Sequence, residues 1–146
     1  TPLYSSAASD VYKRQTYMNA SGTAVRKIME GRSIEAEHVV VVYDDLDIPL
    51  GEVRVKKSGG PGTHKGMDSI VEEIQTQQFP RIRVGIGPMR PGVSATDYVL
   101  SPFEKGEMAG LEQGLKKAVA ALELMLSGDI EKAMTLYNQR EKAFSA

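Results

Sequence analysis

The run Val39-Val40-Val41-Val42, closing on Tyr43-Asp44-Asp45-Leu46-Asp47, is the stretch that most narrows the folds open to this sequence. Four consecutive β-branched side chains restrict χ1 in a helix and suit a pleated strand. They show no polar alternation, so the strand is expected to be covered on both faces, as an inner strand of an α/β sheet is. Sheets of that class bind ligands just past the carboxyl ends of their strands, where Asp44, Asp45 and Asp47 stand. The three aspartates are site candidates by position alone.

With 41% apolar residues in 146, the chain can bury a core of single-domain size. No stretch reaches the roughly 18 apolar residues that a membrane-spanning helix needs. Cysteine is absent, which excludes disulfides and thiolate metal sites. The net charge of −1 hides a local imbalance: residues 52–90 hold Arg54, Lys56, Lys57, Lys65, Arg81, Arg83 and Arg90 against Glu52, Asp68, Glu72 and Glu73, an excess of three positive charges. Such a patch attracts a phosphate backbone. An ordinary solvated face has the same composition.

Residues 1–15, TPLYSSAASDVYKRQ, have neither helical nor strand periodicity. They are expected to be a non-native or disordered leader, since SSAASDVYKRQ resembles a translated artefact found at the ends of assembled sequences. Residues 16–138 form the expected domain, and residues 139–146 a fraying tail. Ser21 suits an N-cap, with Ala24, Val25, Ile28 and Met29 at helical spacing and Gly31 as a stop. After the aspartates, Ile48-Pro49-Leu50-Gly51 reads as a turn, and Val53 and Val55 alternate with Arg54, Lys56 and Lys57 as a strand with one wet, basic face. A glycine-rich loop, residues 58–66, leads into a helix carrying Met67, Ile70, Val71 and Ile74. The amides at such a helix start can hold an anion, although neither a Walker loop nor a dinucleotide fingerprint is present. Arg81 to Gly87, RIRVGIG, alternates as a third strand. Leu111, Leu115, Ala118, Val119, Leu122 and Met125 then keep a helical period to Ser127-Gly128, and Asp129 caps a last helix with Ile130, Ala133, Met134 and Tyr137 inside.

The residues alone leave the chemistry open. Asp44 and Asp47 could hold Mg²⁺ as a phosphoesterase would, but neighbouring strand residues point to opposite faces, so Asp44 and Asp45 do not readily share an ion. One aspartate could instead accept the Nδ1 hydrogen of a histidine and brace it as a general base. Only His38 and His64 exist. His38 precedes the valine strand at the end away from the aspartates, and His64 lies in the glycine loop, where it could equally support its own turn.

The segments TYMNASG, VVVVYDDLDIPLGEVRVKKSGGPGTHKGMDSI, QFPRIRVGIG and DYVLSPF, in this order and spacing, resemble the bacterial peptidyl-tRNA hydrolases. The resemblance implies an α/β fold, a single domain with a mixed central sheet flanked by helices, and the first strand or strands missing from this chain. It implies a monomeric cytoplasmic enzyme that needs no metal or cofactor and cleaves the ester joining a peptide to the 3′ ribose of tRNA. In that family a histidine acts as base on water and an aspartate steadies it; the aspartate matches Asp44. The substrate-positioning asparagine matches Asn19, with Tyr17 and Met18 lining the same pocket. Lys56 and Arg83 match the places that grip tRNA phosphate, and His64 and Lys65 stand in the family's G-G-H-N-G loop.

Two departures follow from the same comparison. The family's T-R-H-N motif, which carries the base, has no counterpart here, so the chain as given is expected to lack esterase activity. Lys65 replaces an asparagine, exchanging an amide that donates and accepts for an ammonium that only donates. The alternative function is a non-catalytic tRNA-binding or RNA-binding module using Lys56, Lys57, Lys65 and Arg83.

Overall fold

The computed structural model describes residues 20–139. They divide into two compact units, residues 20–39 with 58–79, and residues 40–57 with 80–139. Tyr17, Met18 and Asn19 lie outside the described residues, as do the expected leader and all but the first residue of the tail.

The first unit is a pair of helices, α1 (Ser21–Arg32) and α2 (Lys65–Ile74), packed on each other. Their closest approach is at Gly22. Its N–H donates to the Ser69 hydroxyl at 2.9 Å, and a Cβ built on it would fall 2.1 Å from the Ser69 carbonyl oxygen. No residue but glycine fits there. Arg26 and Glu73 add an ion pair at 3.1 Å across the same two helices. The sequence placed this first helix correctly but not its ends. Ser21 is its first residue and makes no cap, Ala20 stands at the cap position, and Gly31 lies inside the last turn. The helix stops at Ser33, whose left-handed backbone lets the Ile34 N–H reach the Met29 carbonyl at 2.9 Å. Helix α2 has the expected amphipathic stripe, with Met67 and Ile70 buried.

The second unit is a mixed sheet with helices on one face. Strand β1 (Val41–Pro49) runs parallel to β3 (Arg81–Gly87), and β2 (Val53–Lys56) runs antiparallel to β3, so β3 is the middle strand. This bears out the α/β class and corrects the order read from sequence. The valine run was expected inside the sheet, yet among the described residues its strand is an edge, starts only at Val41, and leaves Val42 49% exposed. The buried strand is RIRVGIG, which alternation marks as a strand without fixing its place in the sheet. A second correction concerns the aspartates. They stand within β1, because the strand continues through Pro49 with a register shift after Asp45. Gly85 and Gly87 make room for that shift: a Cβ on either would lie 2.1 Å from a β1 carbonyl oxygen, that of Pro49 or of Leu46.

Paired residues share a face. On one face Ile82 and Val84 of β3 meet Val53 and Val55 of β2, and Ala118, Ala121 and Ala133 close over them from α4 (Met108–Leu126) and α5 (Ile130–Tyr137). Small residues on the helices let them lie close to the sheet. Each buried Val or Ile contributes about 1.5–3 kcal/mol. Of the expected α4 stripe, Ala118, Leu122 and Met125 face the core, whereas Leu115 and Val119 are exposed and Ala121, not in the stripe, is buried. Asp129 caps α5 as expected, accepting from the Lys132 N–H at 3.1 Å. Helix α3 (Ala95–Leu100), too short to read from sequence, is tied to β3 by the Tyr98 hydroxyl, which donates to the Ile86 carbonyl. Arg90 lies 5.2 Å from the centre of the Tyr98 ring and pairs with Glu104 at 3.3 Å.

Candidate functional site

Strand β1 carries the candidate carboxylates. Asp44 is opposite Val84 and Asp45 opposite Gly85, so the two aspartates point to opposite faces, as their spacing required. Asp44 shares the face of Val42, Ile82 and Val84 and is partly buried. Asp45 shares the face of Tyr43 and Arg83.

Asp45 is held at both oxygens. Its Oδ2 accepts from Arg83 Nε and Nη2, each at 2.7 Å, and its Oδ1 accepts from the Asp47 N–H at 2.8 Å. The Asp45 and Arg83 side chains are only 14% and 22% exposed. A pair this sheltered is strongly oriented, although its net contribution to stability is small because both charges are desolvated. Opposite Arg83 on β2 stands Arg54, which donates to the Val53 carbonyl at 2.9 Å and pairs with Glu52 at 3.3 Å. Two like charges directly opposite each other across strands repel. Here each has its own carboxylate.

The basic patch foreseen from composition is therefore largely answered within the unit. Arg54, Arg83 and Arg90 are paired as above, and Lys57 pairs with Glu131. Lys56, opposite Arg81 and exposed, makes no ion pair among the described residues. No group of three or more His, Asp or Glu side chains able to hold a metal ion occurs among them.

The other unit contains the glycine loop. His64 is the N-cap of α2, and its Nδ1 accepts from the Met67 N–H at 3.2 Å. That bond assigns the proton of the neutral ring to Nε2. The acceptor nitrogen of this imidazole is thus engaged in capping the helix. Lys65 is the first residue of the helix and is exposed. A cation at that end opposes the helix dipole by about 0.3–1 kcal/mol, so an anion bound there would gain from both. His38 lies exposed in the turn Ala36–His38.

Two polar ties that matter to the sheet, those of Asp45 and Asn138, were not read from sequence. Asp45 was grouped with its neighbours because its pairing with Arg83 depends on a register between β1 and β3 that no local pattern encodes. Asn138 accepts from the Val55 N–H at 2.7 Å and donates to the Val55 carbonyl at 2.8 Å, from 83 residues away. The only local hint was its place just past α5.

The family model for peptidyl-tRNA hydrolase matches residues 6–144. The peptidyl-tRNA hydrolase of Persephonella marina is 42% identical over 130 residues, covering 89% of this chain and 69% of that protein. That of Pseudothermotoga lettingae is 40% identical over 138 residues, covering 93% and 74%. Among solved structures, the peptidyl-tRNA hydrolase of Acinetobacter baumannii is similar with a TM-score of 0.76 and 32% identity, over 88% of this chain. The chain spans 65% of the length of that structure.

Proposed function

This chain belongs to the peptidyl-tRNA hydrolase family, and from that we propose that the whole protein hydrolyses the ester between a peptide and the 3′ ribose of tRNA, with water activated by a histidine that Asp44 braces. The observation that carries the proposal is the position of Asp44 in the matched D-D-L-D segment, partly buried on a strand whose neighbouring residue is fixed by an ion pair. A strand-borne, sheltered carboxylate can accept an imidazole N–H and hold one tautomer.

Neither histidine of the 146 residues suits the base. His64 caps α2 through Nδ1, and His38 is exposed in a turn. The reading takes the imidazole from outside this sequence, so these residues alone are expected to turn over little substrate; removing a general base costs about 10² to 10⁴ in rate. Asn19 would position the substrate and the water, with Tyr17 and Met18 lining the pocket. Lys65 would donate to a phosphate or carbonyl oxygen. Lys56 and Arg83 would grip tRNA phosphate by shape and charge more than by base. We place the enzyme in the cytoplasm as a monomer, without metal or cofactor. A purely RNA-binding module fits less well, because such a module relies on unneutralised cations and two of the four it would use, Lys57 and Arg83, already have carboxylate partners.

The test is Asp44→Asn in the longer protein that supplies the histidine, assayed on an N-blocked aminoacyl-tRNA. Turnover is expected to fall by about a hundredfold or more, with tRNA affinity within twofold. Activity within twofold of the parent would end the bracing role.

A further inference from the structure

Arginine has a three-carbon stem and many rotamers, and holding it in one of them costs entropy at the moment of binding. In this sheet the cost is met before any ligand arrives. Asp45 Oδ2 takes the Nε and Nη2 hydrogens of Arg83 along one edge of the guanidinium. The carboxylate cannot swing with it, because Oδ1 is fixed by the Asp47 N–H. The end-on fork of Nη1 and Nη2 is left for another acceptor, and no bond to Nη1 occurs among the described residues. Such a fork matches two oxygens of a phosphate. Lys56 is on the same face, one pair along the β2–β3 ladder, since Arg54 is opposite Arg83 and Lys56 opposite Arg81. Residues diagonal in this way lie about 7–8 Å apart, within reach of long side chains.

We propose that Asp45 is a positioning residue for phosphate recognition: it holds the side edge of the Arg83 guanidinium so that the end-on fork, with Lys56 beside it, receives a phosphate of the tRNA backbone. The inference rests on the hydrolase reading above and adds to it a residue acting through Arg83. It makes a prediction of unusual sign. Deleting a negative charge beside a phosphate site should tighten binding if charge alone mattered. Deleting a brace should weaken it.

The experiment measures binding of fluorescein-labelled deacylated tRNA to the 146-residue chain by anisotropy, at about 0.1 M salt, where exposed charges more than about 10 Å apart are screened. Asp45→Asn is expected to bind about tenfold more weakly, the worth of one charge-assisted hydrogen bond. Arg83→Lys, which keeps the charge and loses the fork, should lose a similar factor, and the double variant should be no weaker than either single one. Asp45→Glu, still able to accept both hydrogens, should stay within twofold. Equal or tighter binding by a cooperatively unfolding Asp45→Asn overturns the proposal. If that variant does not fold, unchanged binding by Arg83→Lys overturns it equally. Binding lost in Lys56→Gln but unmoved in both other variants sinks this inference alone, whereas a parent chain with no saturable tRNA binding sinks the hydrolase reading with it.

Discussion

On one face of the sheet, Ile82, Val84, Val53 and Val55 meet the alanines of α4 and α5; on the other, the same strands present Arg81, Arg83, Arg54 and Lys56, with Asp45 and Glu52 among them. The first face gains free energy in proportion to the apolar area it removes from water. The second gains little net, because each sheltered ion pair spends most of its Coulomb attraction on desolvation. The difference teaches that the two faces answer to different demands. One holds the unit together, and the other fixes where cations point.

That contrast can be broken most violently on the apolar face. Val55→Asp introduces a charge with no partner where exposure is 0%, and should cost more than about 4 kcal/mol, a large part of the 5–15 kcal/mol that holds a typical domain. Chemical denaturation would show it as a collapse of the unfolding midpoint. A loss below about 1 kcal/mol would mean that the packing of α4 and α5 on this face is not what holds the unit.

The ionic face allows a sharper version. Asp45→Ala leaves the sheltered guanidinium of Arg83 unpaired and should destabilise by about 3 kcal/mol. Replacing both partners, Asp45→Leu with Arg83→Met, should return stability to within about 1 kcal/mol of the parent, because the desolvation of both charges disappears with the pair. Urea denaturation of parent, single and double variants reads the comparison directly. A double variant as unstable as the single one would make this pair a structural element like the valines of the other face.

How much of this was legible in the sequence divides along the same line. Alternation revealed β2, and helical spacing revealed α2 and α5, because in each the pattern is set by a single apolar side. The place of β3 was hidden. No local pattern showed that Arg81 would be buried and Arg83 sheltered, which depends on their cross-strand surroundings, or that Gly85 and Gly87 admit the close approach of β1. The valine run misled for the converse reason, since β-branching reports suitability for a strand and not its rank in the sheet. Among candidate residues, the local role of His64 as a helix cap was one of the two readings its loop position allowed. The tie between Asp45 and Arg83 spans 38 residues and could not be read locally.

The smallest expected effect lies at the outer edge of β2, where both faces end. A strand edge presents unpaired N–H and C=O groups and invites pairing with another chain. Here the Asn138 amide takes the place of one residue of a further strand, accepting from the Val55 N–H and donating to its carbonyl. The geometry matches because a side-chain amide carries the same donor and acceptor as a peptide unit. Asn138→Ala should cost about 1–2 kcal/mol, the worth of two such bonds where water can partly replace them. Asn138→Asp, which keeps an acceptor for the N–H but sets an oxygen against the Val55 carbonyl, should cost at least as much despite its smaller change in shape. Thermal melts at several protein concentrations separate the two consequences: a lower midpoint reports the lost bonds, and a concentration-dependent loss of reversibility reports the opened edge. If Asn138→Ala melted like the parent at every concentration, the amide would be an incidental contact, and the edge would owe its protection to the exposed charges of Lys56 and Lys57 instead.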